Sequence, residues 1–356
     1  MEVIIDKLNP KEDWPQVQNL LETTPMSSSL PLVATRPMDF ETSYPLLKGE
    51  TIDLVAKVDN KIVGFIHGRQ EKKMAYKDGH WIEVDSVYLG DFRVDKSMRR
   101  VGVATQLRKG IAQYCKDHNL KYGWGVVVSG NHKMLQFYQQ FSQNAQPILE
   151  YTVASRLLLT KPRAKKEFSY CHFQPTKSDF DSLASKLSQR FFGTVVSGND
   201  IQNLYLKHPE IKFYKRRDQE GISFAIWNQM QIKQLLLTKL PLSIKTIRWI
   251  WNIMKFFTGS HPFPDAGQAW KSAEVSMLVE PEVASDFEDF IVSEAFNMGC
   301  HTINMIESGL GGNYPSFRFK GPTYRLKLKL MTYAIDGEEP LFPPSSATVD
   351  IDLAFV

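Results

Sequence analysis

The chain has 356 residues, of which 43% are apolar and 23% are charged. These proportions are typical of globular proteins and exclude a largely disordered chain. The length exceeds what one hydrophobic core usually serves, so we expect two domains. The net charge of +4 is too small to indicate nucleic-acid binding, and we expect no nucleic-acid partner.

Three cysteines, Cys115, Cys171 and Cys300, lie far apart and form no metal or redox motif. No apolar run reaches the ~18 residues of a membrane span. The N-terminal residues lack the layout of a signal peptide. We therefore expect a cytoplasmic protein with no metal and no membrane partner.

In chain order, the first half predicts a strand, a helix, a hairpin, a long strand, a helix, a strand, a short helix and a last strand. Two apolar runs around Asp59-Asn60-Lys61 predict the hairpin. A helix is expected from Gly102 to Asp117 because Val103, Leu107, Ile111 and Cys115 repeat every four residues. The predicted segments are 2–8, 10–22, 52–58 with 62–69, 80–94, 102–117, 121–129, 133–141 and 147–160.

Residues 161–167, KPRAKKE, predict a basic linker between two domains, 1–160 and 168–356. The second half repeats the order of the first, which indicates a duplicated fold. Its helix at 178–192 is expected to begin with Ser178 as N-cap, and a hairpin is expected around Asn228-Gln229. The other predicted segments are strands at 168–173, 273–279, 300–308 and 324–335 and a helix at 282–299.

Residues 242–257, LSIKTIRWIWNIMKFF, predict a strongly apolar helix. An internal core helix is the favoured interpretation. The alternatives are a helix packed between the domains and a face of a homodimer.

The stretch FRVDKSMRRVGVATQL, residues 92–107, places two arginines and a glycine at the start of a helix. The first N–H groups of a helix have no intrahelical partner, and the helix dipole favours an anion there. Gly102 would let a phosphate approach the backbone, and Arg99 and Arg100 could add charged donors. A basic loop that only caps the helix is the alternative.

This stretch resembles the acetyl-CoA loop of the GNAT superfamily of N-acetyltransferases, whose pattern Q/R-x-x-G-x-G/A is met by Arg99, Gly102 and Ala104. A second segment of the family, in which Asn precedes Tyr by seven residues, is matched by Asn131 and Tyr138. The resemblance covers residues 1–160. It implies an α/β (α+β) fold, here as tandem GNAT-like domains, each with a mixed, mostly antiparallel central sheet flanked by helices.

The resemblance also implies a binding site for acetyl-CoA between the fourth and fifth strands. Backbone groups of Phe92, Arg93 and Val94 would hold the pantetheine arm, and Asn131 would contact the cofactor. Backbone N–H groups of the loop would hold the pyrophosphate, and these belong to Arg99, Arg100, Val101, Gly102, Val103 and Ala104.

The implied reaction is direct acetyl transfer to a primary amine, preferably of a small molecule or an amino acid. A backbone N–H near Asp91 or Phe92 would stabilise the oxyanion. Tyr138, which also belongs to the cofactor site, is the candidate acid for the leaving thiolate. Asp85 is the first candidate base, and Asp91 and Glu83 are the others. The competing hypothesis is a CoA-binding sensor or scaffold without catalysis.

The second half lacks a counterpart of the segment RRVGVA. We therefore expect a degenerate copy that stabilises the first domain and adds a wall to the amine pocket, although an unrelated α+β domain is the alternative. A homodimer is a possible assembly.

Overall fold

The computed structural model describes residues 2–24, 32–141, 145–162, 167–237, 242–312, 314–335, 338, 341–344 and 346–351. Within them the strands are β1 (Ile4–Lys7), β2 (Leu32–Thr35), β3 (Glu50–Thr51), β4 (Leu54–Val58), β5 (Lys61–Lys77), β6 (His80–Val94), β7 (Tyr122–Val128), β8 (Gln146–Leu157), β9 (Tyr170–His172), β10 (Ile211–Arg216), β11 (Phe224–Asn228), β12 (Gln234–Leu237), β13 (Ala269–Trp270), β14 (Ser272–Ser276), β15 (Thr302–Ser308) and β16 (Thr323–Ala334). The helices are α1 (Trp14–Thr23), α2 (Phe40–Ser43), α3 (Val103–Asp117), α4 (His132–Phe141), α5 (Lys177–Ser188), α6 (Gly198–Lys207), α7 (Leu242–Thr258) and α8 (Phe287–Asn297), with short 3₁₀ turns at Lys96–Met98 and Gln229–Gln231.

One large sheet runs through both halves of the chain in the order β1-β4-β5-β6-β7-β16-β8-β15-β14-β11-β10-β9, and β3 adds to β5. The order is symmetric about its centre. In chain order, β1, β4, β5, β6 and β7 of the first half occupy the places that β9, β10, β11, β14 and β15 occupy from the other end. The two parallel pairs, β6 with β7 and β14 with β15, are also counterparts. The expected mixed, mainly antiparallel sheet flanked by helices is confirmed, and its symmetry agrees with a duplicated fold.

The halves exchange their last strands at the centre of this sheet. β16, from the end of the chain, lies between β7 and β8 and is antiparallel to both. β8, from the first half, pairs in turn with β15. Of the predicted linker 161–167, residues 163–166 lie outside the described residues, and the domain boundary stays a prediction.

Tight turns set the register of the strands that lead to the site. Asp59 and Asn60 have φ values of 48° and 62°, and Asp78 and Gly79 have 51° and 84°. Two consecutive positive φ angles are typical of the type I′ turns that join antiparallel strands. The hairpin predicted around Asp59 is thereby confirmed, as is the strand predicted at 80–94.

Three details of the second half differ from prediction. β12 does not pair with β11 but with β2 and β13 in a separate small sheet, so the hairpin around Asn228-Gln229 is wrong. α5 is capped by Thr176 rather than Ser178, since Thr176 and Asp179 form a reciprocal capping box. The sequence analysis predicted neither α6 nor β10.

Helix α7 is not an internal core helix. Trp251 is its anchor and packs against Phe263 with ring centroids 5.3 Å apart. Large apolar side chains on the opposite side, including Trp249 and Phe257, are exposed. The favoured interpretation of this segment was therefore wrong.

Candidate active site

The fourth and fifth strands of the first half, β6 and β7, separate at the centre of the sheet. They pair in parallel only over Ser86–Tyr88 and Tyr122–Trp124. Beyond these pairs β6 continues to Val94 along β5, whereas β7 continues to Val128 along β16. The two strand ends therefore bound a V-shaped opening in the sheet.

A bulge interrupts β6 on one side of this opening. His67 of β5 faces Gly90, and Phe65 faces Arg93, so that one residue of β5 is opposite both Asp91 and Phe92. Asp91 has φ 40°, in the left-handed region. The bulge thus lies directly after Gly90. A bulge turns backbone groups out of the ladder, which suits an oxyanion donor at Phe92.

The start of α3 follows the bulged strand through a short basic loop. Gly102 is the N-cap with φ 92°, and no side chain among the described residues caps the helix. A Cβ at Gly102 would meet no atom of the described part of the chain within 4 Å, so the space in front of the helix is open there. Arg99 and Arg100 are exposed beside it. The first turn contains no acidic residue, and the arrangement fits a bound pyrophosphate.

Tyr138 reaches from α4 to the point where β6 and β7 separate. Its hydroxyl donates a hydrogen bond of 3.0 Å to the carbonyl oxygen of Leu89, one residue beyond the last parallel pair. A Cβ at Gly125 of β7 would collide with this hydroxyl. Burial, with a contribution from Tyr88, raises the pKa of Tyr138 well above its ordinary value. The hydroxyl thus stays protonated at neutral pH.

Asn131 lies three residues after the end of β7 and directly before the first residue of α4. Its side-chain oxygen accepts a hydrogen bond of 3.3 Å from the backbone N–H of Met134. Phe92, across the opening on β6, stacks on Phe137 of α4 at 4.5 Å between ring centroids. The residues proposed for the cofactor therefore surround a single opening.

Asp91 is held by a buried cation. Arg36 donates to its carboxylate at 2.6 and 3.1 Å, and the hydroxyl of Tyr44 donates at 2.9 Å. Burial opposes the charge of Asp91, but Arg36, Arg93 and Lys233 offset this and hold its pKa well below the ordinary range. A carboxylate of such low basicity is a poor proton acceptor, which argues against Asp91 as the base.

Glu83 and Asp85 are exposed and lie on β6 before the opening. Asp85 precedes Asp91 by six residues, a distance of roughly 20 Å along a strand, and Glu83 lies farther away. Neither carboxylate is within reach of a proton at the bulge. The structure thus disfavours both as the base.

His67 is a candidate that the sequence did not single out. It lies opposite Gly90 and is buried, with Nδ1 2.7 Å from a carboxylate oxygen of Asp53. Tyr44 stacks on its ring at 4.0 Å between centroids. Within the described part of the chain, Nε2 makes no hydrogen bond. A carboxylate that orients the imidazole in this way leaves Nε2 available to accept a proton.

A cavity of about 460 Å³, including its open mouth, lies beside the bulge. We call it the bulge cavity. Its walls come from both halves of the chain, because Gln229, Ile232 and Lys233 belong to the second half. The lining residues of the first half are Arg36, Ser43, Tyr44, Pro45, His67, Arg69, Tyr88, Gly90 and Asp91.

The bulge cavity and Tyr138 lie on opposite faces of the sheet. Tyr138 packs in the cluster of α3, with Leu89 and Leu107. Tyr88, the neighbour of Leu89 on β6, lines the cavity on the other face. An acyl donor and an acceptor could therefore reach the opening from opposite sides.

Residues 14–142 match the family model described as the acetyltransferase (GNAT) family. This part of the chain is a GNAT acetyltransferase domain. The GNAT domain contains the opening, the bulge, the α3 loop and Tyr138. A GNAT domain supports an N-acyltransferase activity that uses an acyl-CoA.

Solved structures of N-myristoyltransferase from Saccharomyces cerevisiae with bound myristoyl-CoA are similar over nearly the whole chain. One aligns at 10% identity with a TM-score of 0.58, covering 97% of this chain and 86% of that one. Another aligns at 11% identity with a TM-score of 0.59, covering 97% of this chain and 82% of that one. A probable N-acyltransferase from Enterococcus faecalis aligns at 10% identity with a TM-score of 0.48, covering 94% of this chain and 73% of that one. At these identities the likeness to the yeast enzyme shows a shared fold. No curated protein matches by sequence.

The residues described contain no group of three or more His, Cys, Asp or Glu side chains that could hold a metal ion. No helix within the described ranges is long and apolar enough to cross a membrane.

Proposed function

We propose that the protein transfers an acetyl group from acetyl-CoA to a primary amine of a small molecule or an amino acid. The observation that supports it most directly is the uncapped N-terminus of α3, with Gly102 open to solvent and Arg99 and Arg100 beside it. The co-substrate supplies an activated thioester carbonyl. Backbone groups of Phe92, Arg93 and Val94 would hold its pantetheine arm along the opening, and Asn131 would contact it near β7.

In this proposal the amine enters through the bulge cavity, on the face of the sheet opposite Tyr138. His67 accepts the proton of the attacking amine at Nε2, and Asp53 holds the ring in the required orientation. As the new C–N bond forms and the C–S bond breaks, the amide N–H of Phe92 stabilises the oxyanion. Tyr138 donates a proton to the departing sulfur and regains one from solvent.

The loop assignment is tested by substituting Gly102. Gly102→Glu puts a carboxylate where the pyrophosphate is expected, and both charges then compete for the same helix N-terminus. Titration calorimetry should show binding of acetyl-CoA to the wild type and a loss of at least about a hundredfold in the variant, equal to ~2.7 kcal/mol.

Gly102→Ala is the matched control, because it shares the strain of a φ of 92° without the added charge. It should weaken binding far less than Gly102→Glu, and circular dichroism should show both variants folded. An unchanged affinity in the Glu variant would remove the pyrophosphate from this loop.

The role of His67 is tested with His67→Asn, whose side-chain amide can still donate to Asp53 while the Nε2 acceptor is lost. We expect kcat for acetyl transfer to fall by about 10²–10⁴-fold with the affinity for acetyl-CoA unchanged. Activity of the variant should recover as the pH rises through the pKa of the amine, since the free amine then arrives without the extra proton. A panel of amines provides the acceptor.

His80→Asn, at the exposed start of β6, is the control and should leave kcat unchanged. If His67→Asn also left kcat and its pH dependence unchanged, the proton would have to leave the amine by another route.

A further inference from the structure

Helix α7 is attached to the protein through its polar side. Arg248 forms an ion pair of 2.6 Å with Asp265. Asn252 accepts a hydrogen bond of 2.9 Å from the backbone N–H of Phe263. Between them Trp251 is buried against Phe263 and donates to the carbonyl of His261 at 2.8 Å.

The apolar side of α7 faces outward. Trp249 is 67% exposed, Phe256 80% and Phe257 82%. Four further exposed apolar residues share this side, namely Ile247, Ile250, Ile253 and Met254. At 3.6 residues per turn, the seven side chains cover roughly half of the helix circumference. An apolar surface of this size on a soluble protein marks an interaction site.

The charges around this apolar face are positive. α7 contains Lys245, Arg248 and Lys255 and no acidic residue. Arg248 is paired with Asp265, whereas Lys245 is exposed and Lys255 lies over the ring of Phe256 at 5.2 Å. Exposed Lys161 joins them at the end of the helix, where its backbone N–H donates to the carbonyl of Thr258.

We propose that α7 docks the protein on a membrane surface that contains anionic lipids. The apolar face would enter the boundary between headgroups and acyl chains, with Trp249, Phe256 and Phe257 as anchors, and the lysines would contact lipid phosphates. Because Arg248 and Asn252 hold the polar side of α7 to the rest of the protein, the helix would lie along the membrane surface. The proposal replaces the expectation of no membrane partner and does not depend on the acceptor amine.

A second copy of the chain fits the same face less well. In a symmetric dimer an identical patch meets itself. Lys245 and Lys255 of both copies would then surround the contact, and α7 offers no carboxylate to pair with them. An anionic surface complements these charges instead.

The test is co-sedimentation of the full chain with vesicles of phosphatidylcholine mixed with phosphatidylserine, compared with phosphatidylcholine alone. The wild type should bind the mixed vesicles more tightly, and added salt should weaken this binding. Combined Trp249→Gln, Phe256→Gln and Phe257→Gln should lower the binding more than about tenfold. Lys245→Gln and Lys255→Gln should each lower it by about fivefold, for mixed vesicles only.

Leu206→Gln is the matched control, since Leu206 is 70% exposed on α6, away from this face. It should bind vesicles like the wild type. Sedimentation velocity tests for a dimer. The proposal would be overturned if the wild type did not bind vesicles but self-associated, and if the triple variant abolished that self-association. Equal vesicle binding by the wild type and the triple variant would also overturn it.

Discussion

Asp91 shows how a side chain near the reaction centre can serve structure rather than chemistry. Its position on the long strand β6 made it a candidate base, yet its carboxylate accepts hydrogen bonds from Arg36 and Tyr44. The same pair holds the segment after β2 against the bulge. The sequence could place Asp91 beside the site but not its partner Arg36, which is 55 residues away.

We expect Asp91→Asn to lower the free energy of unfolding by about 3 kcal/mol at pH 7, because it leaves Arg36 buried without its counter-charge. Asn tolerates the left-handed φ, so the backbone should persist. The pKa of Asp91 is lowered by folding, so its contribution is present above the unfolded value of ~3.9 and is lost as the pH falls further. The difference in unfolding free energy between the variant and the wild type should therefore persist from about pH 8 to about pH 5, above the unfolded pKa of ~3.9. It should narrow below about pH 4.

Denaturant unfolding at several pH values measures this difference. Asp265→Asn is the control, because it breaks the more exposed pair with Arg248 and should cost about 1 kcal/mol or less. Equal losses in the two variants would mean that the pair of Arg36 and Asp91 contributes no more than a surface ion pair.

At the scale of elements, the N-termini of two equivalent helices show why the halves differ. α3 and α8 each connect the strands of a parallel pair. Neither helix has a capping hydrogen bond from its N-cap side chain, but α3 begins at a glycine beside two arginines, whereas α8 begins at Asp286 and has Glu288 and Asp289 in its first turn. These three carboxylates interact favourably with the positive end of the α8 helix dipole and would repel a phosphate there. This supports the proposal that only the first half binds a CoA.

Local signals predicted the elements that build the site, but contacts distant in sequence did not follow from them. The alternation of 80–94 and the four-residue period of α3 gave both elements with bounds within one residue. The pairing of β12 with β2 depends on packing across roughly 200 residues, for which no short pattern exists. His67 was missed for a similar reason, since its partner Asp53 is 14 residues away on the preceding segment.

An alternation of polar residues on β5 is a sequence signal for the bulge cavity and for the contact with the second half. On β5, the buried residues His67, Arg69, Glu71 and Lys73 alternate with their neighbours and so share one face. Arg69 and Lys73 both contact Glu71, at 3.0 and 3.2 Å, and Lys73 also donates to Thr194 of the second half at 2.7 Å. Four polar residues at period two on an inner strand indicate a functional or inter-domain surface.

At the scale of the whole molecule, the exchange of β8 and β16 makes each half incomplete. β7 and β8 of the first half are both bonded to β16, and they have no pairing with each other among the described strands. Residues 1–160 alone would leave the edges of β7 and β8 exposed, and unpaired edges promote aggregation. β7 bounds one side of the opening, so the geometry of the site also depends on β16.

We therefore expect residues 1–160, expressed alone, to be insoluble or aggregated and unable to bind acetyl-CoA. Co-expression with residues 161–356 should restore a soluble complex, because β16 can then pair with β7 and β8 from a separate chain. Size-exclusion chromatography and a calorimetric titration with acetyl-CoA measure both outcomes.

The matched control is the full chain cut only within 161–167, which should stay folded because the exchanged strands hold the halves together. A monomeric, soluble 1–160 fragment with unchanged affinity would show that the first half completes its own sheet and that the exchange of strands only joins two independent domains.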